Sequence, residues 1–164
     1  MGPMHKAYLC TGSNLGDSRS TLEEVISFIH FNMGDVLAQS AVYRSPAWGM
    51  VNAPDFYNQV IVISTELTPA QLIQEISELE EFFGRERTPG IVDSRTLDVD
   101  LLLYDDLHHV AECIEVPHPR LHLRRFVLIP LAEVAAEILH PTLKKTVREL
   151  LTACVDQATV VRVD

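Results

Sequence analysis

Cysteine is scarce in this chain, and its few cysteines are poorly placed for a covalent framework. Cys10, Cys113 and Cys154 are odd in number and widely spaced, and none belongs to a Cys-x-x-Cys or Cys/His cluster. Such a set argues against a disulfide scaffold and against a zinc site. We expect three thiols, mostly buried.

Long hydrophobic runs are also missing. The longest, such as residues 60–63 and 101–103, fall far short of the ~20 apolar residues that a membrane span requires. No charged segment followed by an apolar core of secretory type opens the chain, so we expect a cytoplasmic protein. Met1-Gly2-Pro3 before Met4 suggests a vector-derived remnant, and we expect residues 1–5 to be disordered. The rest of residues 1–164 suits a single domain.

Positive charge is in short supply, and its distribution is uneven. The formal net charge is −10, which argues against partners such as nucleic acid or anionic membranes and favours small-molecule substrates. Arginine presents a planar fork of donors that grips phosphate. Six of the thirteen basic residues are arginines clustered between positions 85 and 125: Arg85, Arg87, Arg95, Arg120, Arg124 and Arg125.

Apolar residues make up 47% and charged residues 22% of the sequence, which is ordinary globular usage. Alternation predicts strands at residues 6–11, 36–43 and 56–67, with Gly12-Ser13-Asn14 as a turn. The helical spacing of Leu22, Val25 and Ile29 predicts a first helix, capped by Ser18 or Ser20. A second helix is predicted from Thr68 as its cap, through Pro69, to Gly84.

Long loops are predicted at residues 44–55 and 84–96, followed by a strand around Asp98 and Asp100. Further along, the sequence predicts a hairpin at 107–116, helices at 126–136 and 146–153, and an edge strand at 160–163. The order of the first six elements is the βαββαβ pattern of an α+β ferredoxin-like sandwich, to which the C-terminal helices are additional.

Two aspartates interrupt an otherwise apolar strand. In an extended chain Leu97, Val99, Leu101 and Leu103 point one way, while Asp98 and Asp100 share the other face ~6.6 Å apart. Repulsion between two such carboxylates favours a cation between them. A divalent metal beside the arginines predicts a polyphosphate ligand, although aspartate pairs also serve as strand-end caps or in surface salt bridges.

Other motifs leave alternatives open. Phe56, Tyr57 and Asn58 form either a platform that reads a heterocycle or plain core aromatics. His118 and His122 are spaced like metal ligands, but Pro119 makes a helix through both improbable. His118 and Arg124 are then donors to phosphate or ribose, or solvated surface charge.

Taken in order, these segments resemble the 6-hydroxymethyl-7,8-dihydropterin pyrophosphokinase family, from about Ala7 to Leu151. The matching motifs are Gly12-Ser13-Asn14, Tyr43-Arg44-Ser45-Pro46 with Gly49, Asp55-Phe56-Tyr57-Asn58, Gly84-Arg85-x-Arg87, Arg95-Thr96-Leu97-Asp98-Val99-Asp100, and Val116-Pro117-His118-Pro119-Arg120 with Arg124 and Phe126.

The resemblance implies an enzyme that moves pyrophosphate from ATP to the hydroxymethyl group of the pterin and releases AMP. It implies two Mg²⁺ ions on Asp98 and Asp100, and a site that needs no oligomer. The implied residues are, for catalysis, Arg85, Arg95, Asp98 and Asp100; for ATP, Arg85, Arg87, Arg95, His118, Arg124 and the supporting Glu80; and for the pterin, Ser45, Pro46, Trp48, Phe56, Asn58 and Phe126.

The chain departs from the family pattern in one loop. The resemblance implies that the loops at 44–55 and 84–96 close over both substrates. Many members carry Arg-Trp-Gly-Pro where this chain has Ile91-Val92-Asp93-Ser94, so the second loop lacks one arginine and one tryptophan. Phe56 also stands where tyrosine is frequent. The rival functions are another ferredoxin-like nucleotidyl transferase, which needs no pair of Phe56 and Phe126, and a regulatory ligand-binding module, which needs neither metal nor ATP.

Overall fold

A computed structural model describes residues 2–47, 54–84 and 97–163 of the chain. Within them the helices and strands follow in this order: β1 His5–Ser13, α1 Ser18–Asn32, β2 Asp35–Gln39, β3 Val42–Ser45, β4 Phe56–Thr65, α2 Pro69–Phe82, β5 Asp98–Tyr104, β6 His109–Ala111, β7 Ile114–Val116, a 3-10 turn Leu121–Leu123, α3 Arg125–Ala135, α4 Val147–Ala153 and β8 Val161–Val163.

The main sheet is antiparallel, with strand order β5-β1-β4-β3-β8, and β2 pairs with β4 beside β3. Strands β6 and β7 form the separate hairpin that the sequence predicts at 107–116. Strand β8 pairs with β3 at the sheet edge, as expected for residues 160–163. The chain is thus a mixed α and β protein built on one antiparallel sheet.

Apolar stripes on the four helices cover both faces of this sheet. On one face, α1 and α2 bury Leu22, Ile29, Leu72 and Leu79 in one core cluster. On the other face, α3 and α4 bury a second cluster that includes Leu128, Leu131, Val147 and Leu150. A buried side chain of this size contributes about 1.5–3 kcal/mol, so the C-terminal helices are integral to the fold.

Helix boundaries follow local chemistry. At α2, Thr68 accepts from Gln71 N–H while the Gln71 side chain accepts from Thr68 N–H, a complete capping box with Pro69 in the first turn. Gly84 follows the helix with φ +78°, which glycine adopts without strain. The cap predicted for α1 was wrong: Asp17, not Ser18 or Ser20, accepts the Ser20 N–H.

The single strand predicted at residues 36–43 is two strands, β2 and β3. Gln39 lies opposite Ile61 and Tyr43 lies opposite Asn58, so four residue steps from β2 to β3 face three residue steps along β4. The extra residue breaks the ladder at Ser40 and Ala41, as a β-bulge does. Alternation in the sequence cannot show such an interruption, because it arises from pairing with β4.

Two further predictions are corrected by pairing. Gly12 and Ser13, predicted as a turn, are the last residues of β1. Strand β5 keeps the predicted alternation for Val99 and Leu101, but the register against β1 shifts between Tyr8 and Leu9. Leu103 consequently packs in the second cluster, opposite the face that alternation gave it. No helix in the described part of the chain is long and apolar enough to cross a membrane.

Candidate active site

Three neighbouring strands bring the separate motifs together at one end of the sheet. Gly12 on β1 lies opposite Asn58 on β4 and also opposite Asp98 on β5. Two residues earlier, Cys10 lies opposite Asp100. The central strand therefore places the amide predicted to read the pterin and the carboxylates predicted to bind metal on either side of one glycine.

Gly12 is required by the packing of its neighbours. A Cβ atom there would lie 2.5 Å from Asn58 Nδ2 and 3.6 Å from Phe56 Cδ1. Asn58 is buried, and its Nδ2 donates to the Thr11 carbonyl at 3.3 Å. This contact fixes the amide orientation, because a carbonyl oxygen only accepts.

The other atom of that amide lacks a hydrogen bond. Asn58 Oδ1 is buried and has no partner among the residues of the described ranges. Burying an acceptor in this way costs about 1–3 kcal/mol. A ligand that carries an N–H donor would relieve this cost, so the site suits a nitrogen heterocycle.

The two carboxylates lie in a mixed field. Asp98 and Asp100 are both half-buried, and both act electrostatically on Arg124 and on the Cys10 thiol. Arg124 Nη1 lies 3.9 Å from Asp100 Oδ2, and His118 Nε2 lies 3.8 Å from Asp100 Oδ1. Burial, followed by the two aspartates, raises the pKa of Cys10, which keeps that thiol protonated and inert.

His118 is held as a neutral ring. Burial, then the charges of Arg124 and Arg120, lower the pKa of His118 to about 4, against the opposing effect of Asp98. The Arg120 N–H donates to His118 Nδ1 at 3.1 Å, so the ring proton is on Nε2. The backbone N–H of His118 donates to the Leu102 carbonyl at 2.9 Å, which ties the segment around His118 to β5. His118 thus presents an N–H donor beside Asp100.

The start of α3 supplies an arginine and an aromatic ring. Arg124 immediately precedes the helix, and its guanidinium carbon lies 5.6 Å from the centre of the Phe126 ring. Phe126 is half-buried against the second core cluster. Burial lowers the pKa of Arg124, and the nearby Asp100 raises it. The Arg124 guanidinium keeps its positive charge despite these opposing effects. Within the described part of the chain it is the charged group that pairs with Asp100.

Glu80 reaches the site from the opposite face. It is buried on α2, and its Oε2 accepts the Val99 N–H at 2.9 Å. Val99 lies between the two aspartates, on the edge strand of the sheet. Glu80 therefore fixes the backbone that carries both carboxylates, and its predicted role in the ATP site stays a prediction.

Some of the remaining predicted site residues lie in the described ranges and the others lie outside them. Ser45 ends β3, is buried and pairs with Phe56, and the exposed Pro46 follows it. Trp48, Arg85, Arg87 and Arg95 lie outside the described residues, as do positions 48–53 of the loop predicted at 44–55 and positions 85–96 of the loop predicted at 84–96. Their predicted contacts remain predictions.

Sequence reasoning missed several supporting contacts. Asn14, assigned to a simple turn, donates through Nδ2 to the Pro54 carbonyl at 3.2 Å, which ties the end of β1 to the chain just before Phe56. The backbone of Arg120, rather than its side chain, sets the His118 tautomer. The glycine in Gly12-Ser13-Asn14 was a visible signal, since glycine within a strand often marks close approach of another group.

Asp98 and Asp100 suit magnesium. Within the described ranges, no three His, Cys, Asp or Glu side chains are arranged to hold a metal ion, so the candidate site rests on the two carboxylates. Magnesium prefers oxygen ligands and is commonly held by one or two carboxylates together with waters and substrate phosphates. The donor set present fits that pattern.

A family model described as 7,8-dihydro-6-hydroxymethylpterin-pyrophosphokinase matches residues 8–136. The chain belongs to this family. The 2-amino-4-hydroxy-6-hydroxymethyldihydropteridine pyrophosphokinase of Methylorubrum extorquens is 37% identical over 164 residues, covering 98% of this chain and all of that relative. The enzyme of the same name from Aquifex aeolicus is 35% identical and covers 89% of this chain and 90% of its own length.

Solved structures support the fold. The crystal structure of wild-type Plasmodium falciparum HPPK-DHPS with SDX-DHP matches with a TM-score of 0.76 over 93% of this chain, at 15% identity. This chain spans 44% of the length of that one. Family membership confirms the resemblance that the motifs carry. The chain is an enzyme, a pyrophosphokinase that acts on 6-hydroxymethyl-7,8-dihydropterin in folate biosynthesis, with ATP as co-substrate.

Proposed function

We propose that the candidate site performs magnesium-dependent transfer of the β,γ-pyrophosphoryl group of ATP to the hydroxymethyl oxygen of the pterin, giving AMP and the pterin diphosphate. The observation that carries this proposal is the arrangement around Gly12, where Asn58 and Asp98 flank the same glycine on adjacent strands. A pterin held at Asn58 has its reacting arm within the same end of the sheet as a polyphosphate held at the aspartates.

The pterin is bound by Ser45, Pro46, Trp48, Phe56, Asn58 and Phe126. Asn58 Oδ1 accepts from a ring N–H or amino group, which supplies the hydrogen bond that this buried atom lacks among the described residues. Phe56 lies beside Gly12, and Phe126 lies in the first turn of α3 on the same face of the sheet, so the pterin ring stacks between them. Stacking and one amide together discriminate a flat heterocycle with donors on its edge.

The triphosphate is bound by Arg85, Arg87, Arg95, His118 and Arg124, with Arg85 and Arg95 acting in catalysis. His118 contributes a neutral N–H donor and Arg124 a fixed positive charge, both beside Asp100. Glu80 supports the ATP site by holding Val99 rather than by direct contact. These groups orient the phosphates in line with the attacking hydroxyl, and positioning of this kind is the larger part of phosphoryl-transfer catalysis.

Asp98 and Asp100 would hold two Mg²⁺ ions. Bound there, the metal would neutralise the triphosphate and lower the pKa of the attacking hydroxyl. The protein's own part is to keep the two carboxylates on one strand face, with Glu80 fixing the backbone between them.

We further propose a ferredoxin-like core and a single domain. The strand order β5-β1-β4 with β2 and β3 beyond it, and two helices on one face, support the βαββαβ arrangement. The site is assembled from one copy of the chain in the described ranges, so an oligomer is not required. The net charge of −10 supports small-molecule partners rather than nucleic acid or anionic membranes.

Product formation tests the assignment. Wild-type protein with ATP, Mg²⁺ and 6-hydroxymethyl-7,8-dihydropterin should give AMP and the pterin diphosphate by mass spectrometry. Asp98→Asn should lower kcat by roughly a thousandfold while changing pterin affinity by less than about threefold, because the lost charge acts on the polyphosphate.

Asp106→Asn is the matched control, since Asp106 is an exposed aspartate just beyond β5. It should turn over like wild type. Unchanged turnover of Asp98→Asn at saturating Mg²⁺ would contradict the metal role. Formation of ADP in place of AMP would favour a different transferase, and absence of any ATP turnover would favour a ligand-binding module.

A further inference from the structure

The carboxylate of Glu133 on α3 joins this helix to β3 and to the residue just before it, away from the reacting groups. Glu133 accepts the Tyr43 hydroxyl at 2.5 Å through Oε1, and the Ala41 N–H donates to both of its oxygens at 3.2 and 3.1 Å. Ionised acceptors form the stronger class of hydrogen bond. One side chain thus connects α3 to Tyr43 on β3 and to Ala41 in the segment between β2 and β3.

The connection lies at the bulge between β2 and β3. There the Ser40 N–H donates to the Val60 carbonyl, and Ser40 Oγ accepts the Val60 N–H, each at 2.9 Å. Gln59 Nε2 donates to the Ser40 carbonyl at 2.7 Å. The extra residue leaves Ala41 N–H to donate to Glu133 instead of to a strand, so the carboxylate completes the hydrogen bonding of the bulge.

Both ends of this connection lead to the candidate pterin site. On the strand side, Tyr43 pairs with Asn58, and Ser45 pairs with Phe56. On the helix side, Glu133 follows Phe126 by seven residues, which is two helical turns and ~10.5 Å along the same face. The Glu133 contact therefore links the element that carries Phe126 to the strands that carry the other pterin residues.

The packing of α3 does not depend on this contact. Its Val127, Leu128 and Leu131 side chains are almost completely buried in the second core cluster, whereas Glu133 is an exposed residue. Removing the carboxylate should leave the core intact and free Tyr43 and Ala41 from α3, while β3 stays paired with β4 and β8. The expected consequence is a shift in the pterin site rather than unfolding.

We propose that Glu133 is a positioning residue for the pterin: by holding Tyr43 and Ala41 it sets the separation between Phe126 on α3 and the Ser45, Phe56 and Asn58 side of the site. This inference rests on the proposed function. Burial, then the hydrogen bond to Glu133 and its charge, raise the pKa of Tyr43 to about 12, so the hydroxyl remains a donor throughout the working pH range.

Steady-state kinetics of Glu133→Ala and Tyr43→Phe test the proposal. We expect the KM for the pterin to rise about tenfold in Glu133→Ala and somewhat less in Tyr43→Phe, the size expected for losing hydrogen bonds to a charged group. The KM for ATP should change by less than about threefold, since only Arg124 of the proposed phosphate residues adjoins α3, whereas His118 is tied to β5 by its backbone. The double variant should be no worse than Glu133→Ala, because the two residues act through one contact.

Glu137→Ala is the matched control. Glu137 is also an exposed glutamate, close after α3, and it pairs with Arg148 on the protein surface. It should leave both KM values unchanged. A fall in melting temperature of Glu133→Ala with equal effects on the pterin and ATP KM values would show a structural role only and overturn the proposal. So would unchanged kinetics in both variants.

Wild-type turnover distinguishes a failure of the proposed function from a failure of the role proposed for Glu133. A wild-type protein that forms no AMP and no pterin diphosphate would refute the site assignment itself. A wild-type protein that turns over normally, with variants that show no selective loss for the pterin, would refute only the role of Glu133.

Discussion

At the scale of single residues, His118 shows how a backbone contact can decide the chemistry of a side chain. The Arg120 N–H occupies Nδ1, and burial with the neighbouring arginines keeps the ring neutral. A neutral ring with its proton on Nε2 offers no free nitrogen lone pair toward Asp100, so it is a poor general base there. It is well suited to donate to an anionic oxygen of the triphosphate.

Substitutions that mimic each ring nitrogen separate these roles. In His118→Gln the amide reaches the Nε2 position and keeps a donor there, so we expect kcat/KM for ATP to fall by less than about tenfold. In His118→Asn the amide reaches only the Nδ1 position, and we expect a loss of about a hundredfold, in line with a lost hydrogen bond to a charged group. Equal activity of the two variants would contradict a role for the Nε2 donor.

Gly12 is the second residue whose role depends on close approach. In Gly12→Ala the new Cβ would meet Asn58 Nδ2 at 2.5 Å, so the amide must move away from the Thr11 carbonyl. We expect the pterin dissociation constant, measured by calorimetry, to rise at least about tenfold. The free energy of unfolding should fall by about 1–3 kcal/mol, as for other overpacked core positions.

Gly34→Ala is a matched control for this prediction. A Cβ at Gly34 would lie 2.2 Å from the Ser64 carbonyl oxygen, at the far end of β4 from Asn58. This variant should also lose stability, yet its folded fraction should bind the pterin with normal affinity. A similar loss of pterin affinity in both variants would show that the effect of Gly12→Ala is general destabilisation.

At the scale of helices and strands, the sequence predicted the elements whose signals are local. Thr68, Pro69 and Gly84 define α2 within one segment, and α3 and α4 appear where their apolar spacing predicts them. Apart from the local error at the cap of α1, the errors came from pairing between distant segments. The break between β2 and β3 depends on the register against β4, and the face of Leu103 depends on the register against β1.

The candidate site follows the same rule. Asp98 and Asp100 were predicted to share a face because strand alternation is a local property. That Asn58 and Asp98 flank one glycine required the pairing of β1 with two strands, which composition and spacing do not contain. The motif resemblance named these residues as expected site residues without locating them, and it gave no indication of the Glu133 contact with Tyr43 on β3.

At the scale of the whole molecule, one face of the sheet serves mainly for stability and the other also carries the candidate site. The face under α1 and α2 is an apolar cluster, and near the site the buried Glu80 accepts a hydrogen bond from the Val99 N–H. The opposite face carries Cys10, Asn58 and the aspartates at one end, and the α3 and α4 cluster beyond them. The site is thus built where the second core ends, so its polar groups are partly enclosed by well-packed elements.

The stability of the whole molecule should depend on pH through His140, a buried histidine in the segment that links α3 to α4. His140 is buried between α3 and α4, and its Nδ1 accepts the N–H groups of Thr142 and Leu143 at 3.2 and 3.0 Å. It lines a cavity of about 110 Å³ together with His108, His118, His122 and Glu115. Burial, then His122 and His108, lower the pKa of His140 from its usual value near 6.5.

The sign of the pH effect follows from this lowered pKa. Below about pH 6.5 the unfolded chain binds a proton at His140 more readily than the folded chain does, so folding becomes less favourable as pH falls. Above that pH both states are neutral and the contribution is complete. His118, whose pKa is lowered to about 4, acts in the same direction. Carboxylates titrate mainly near pH 4, below the range in question.

We therefore expect the melting temperature to fall between pH 7 and pH 5, and His140→Asn to reduce the slope of that fall. Asparagine does not titrate, and its Oδ1 can replace Nδ1 as the acceptor for Leu143 N–H, so the variant should still fold. Differential scanning calorimetry across this range measures the slope. His30→Asn, at an exposed histidine on α1, should keep the wild-type slope. An identical slope in His140→Asn and wild type would show that His140 gains its proton equally in the folded and unfolded states.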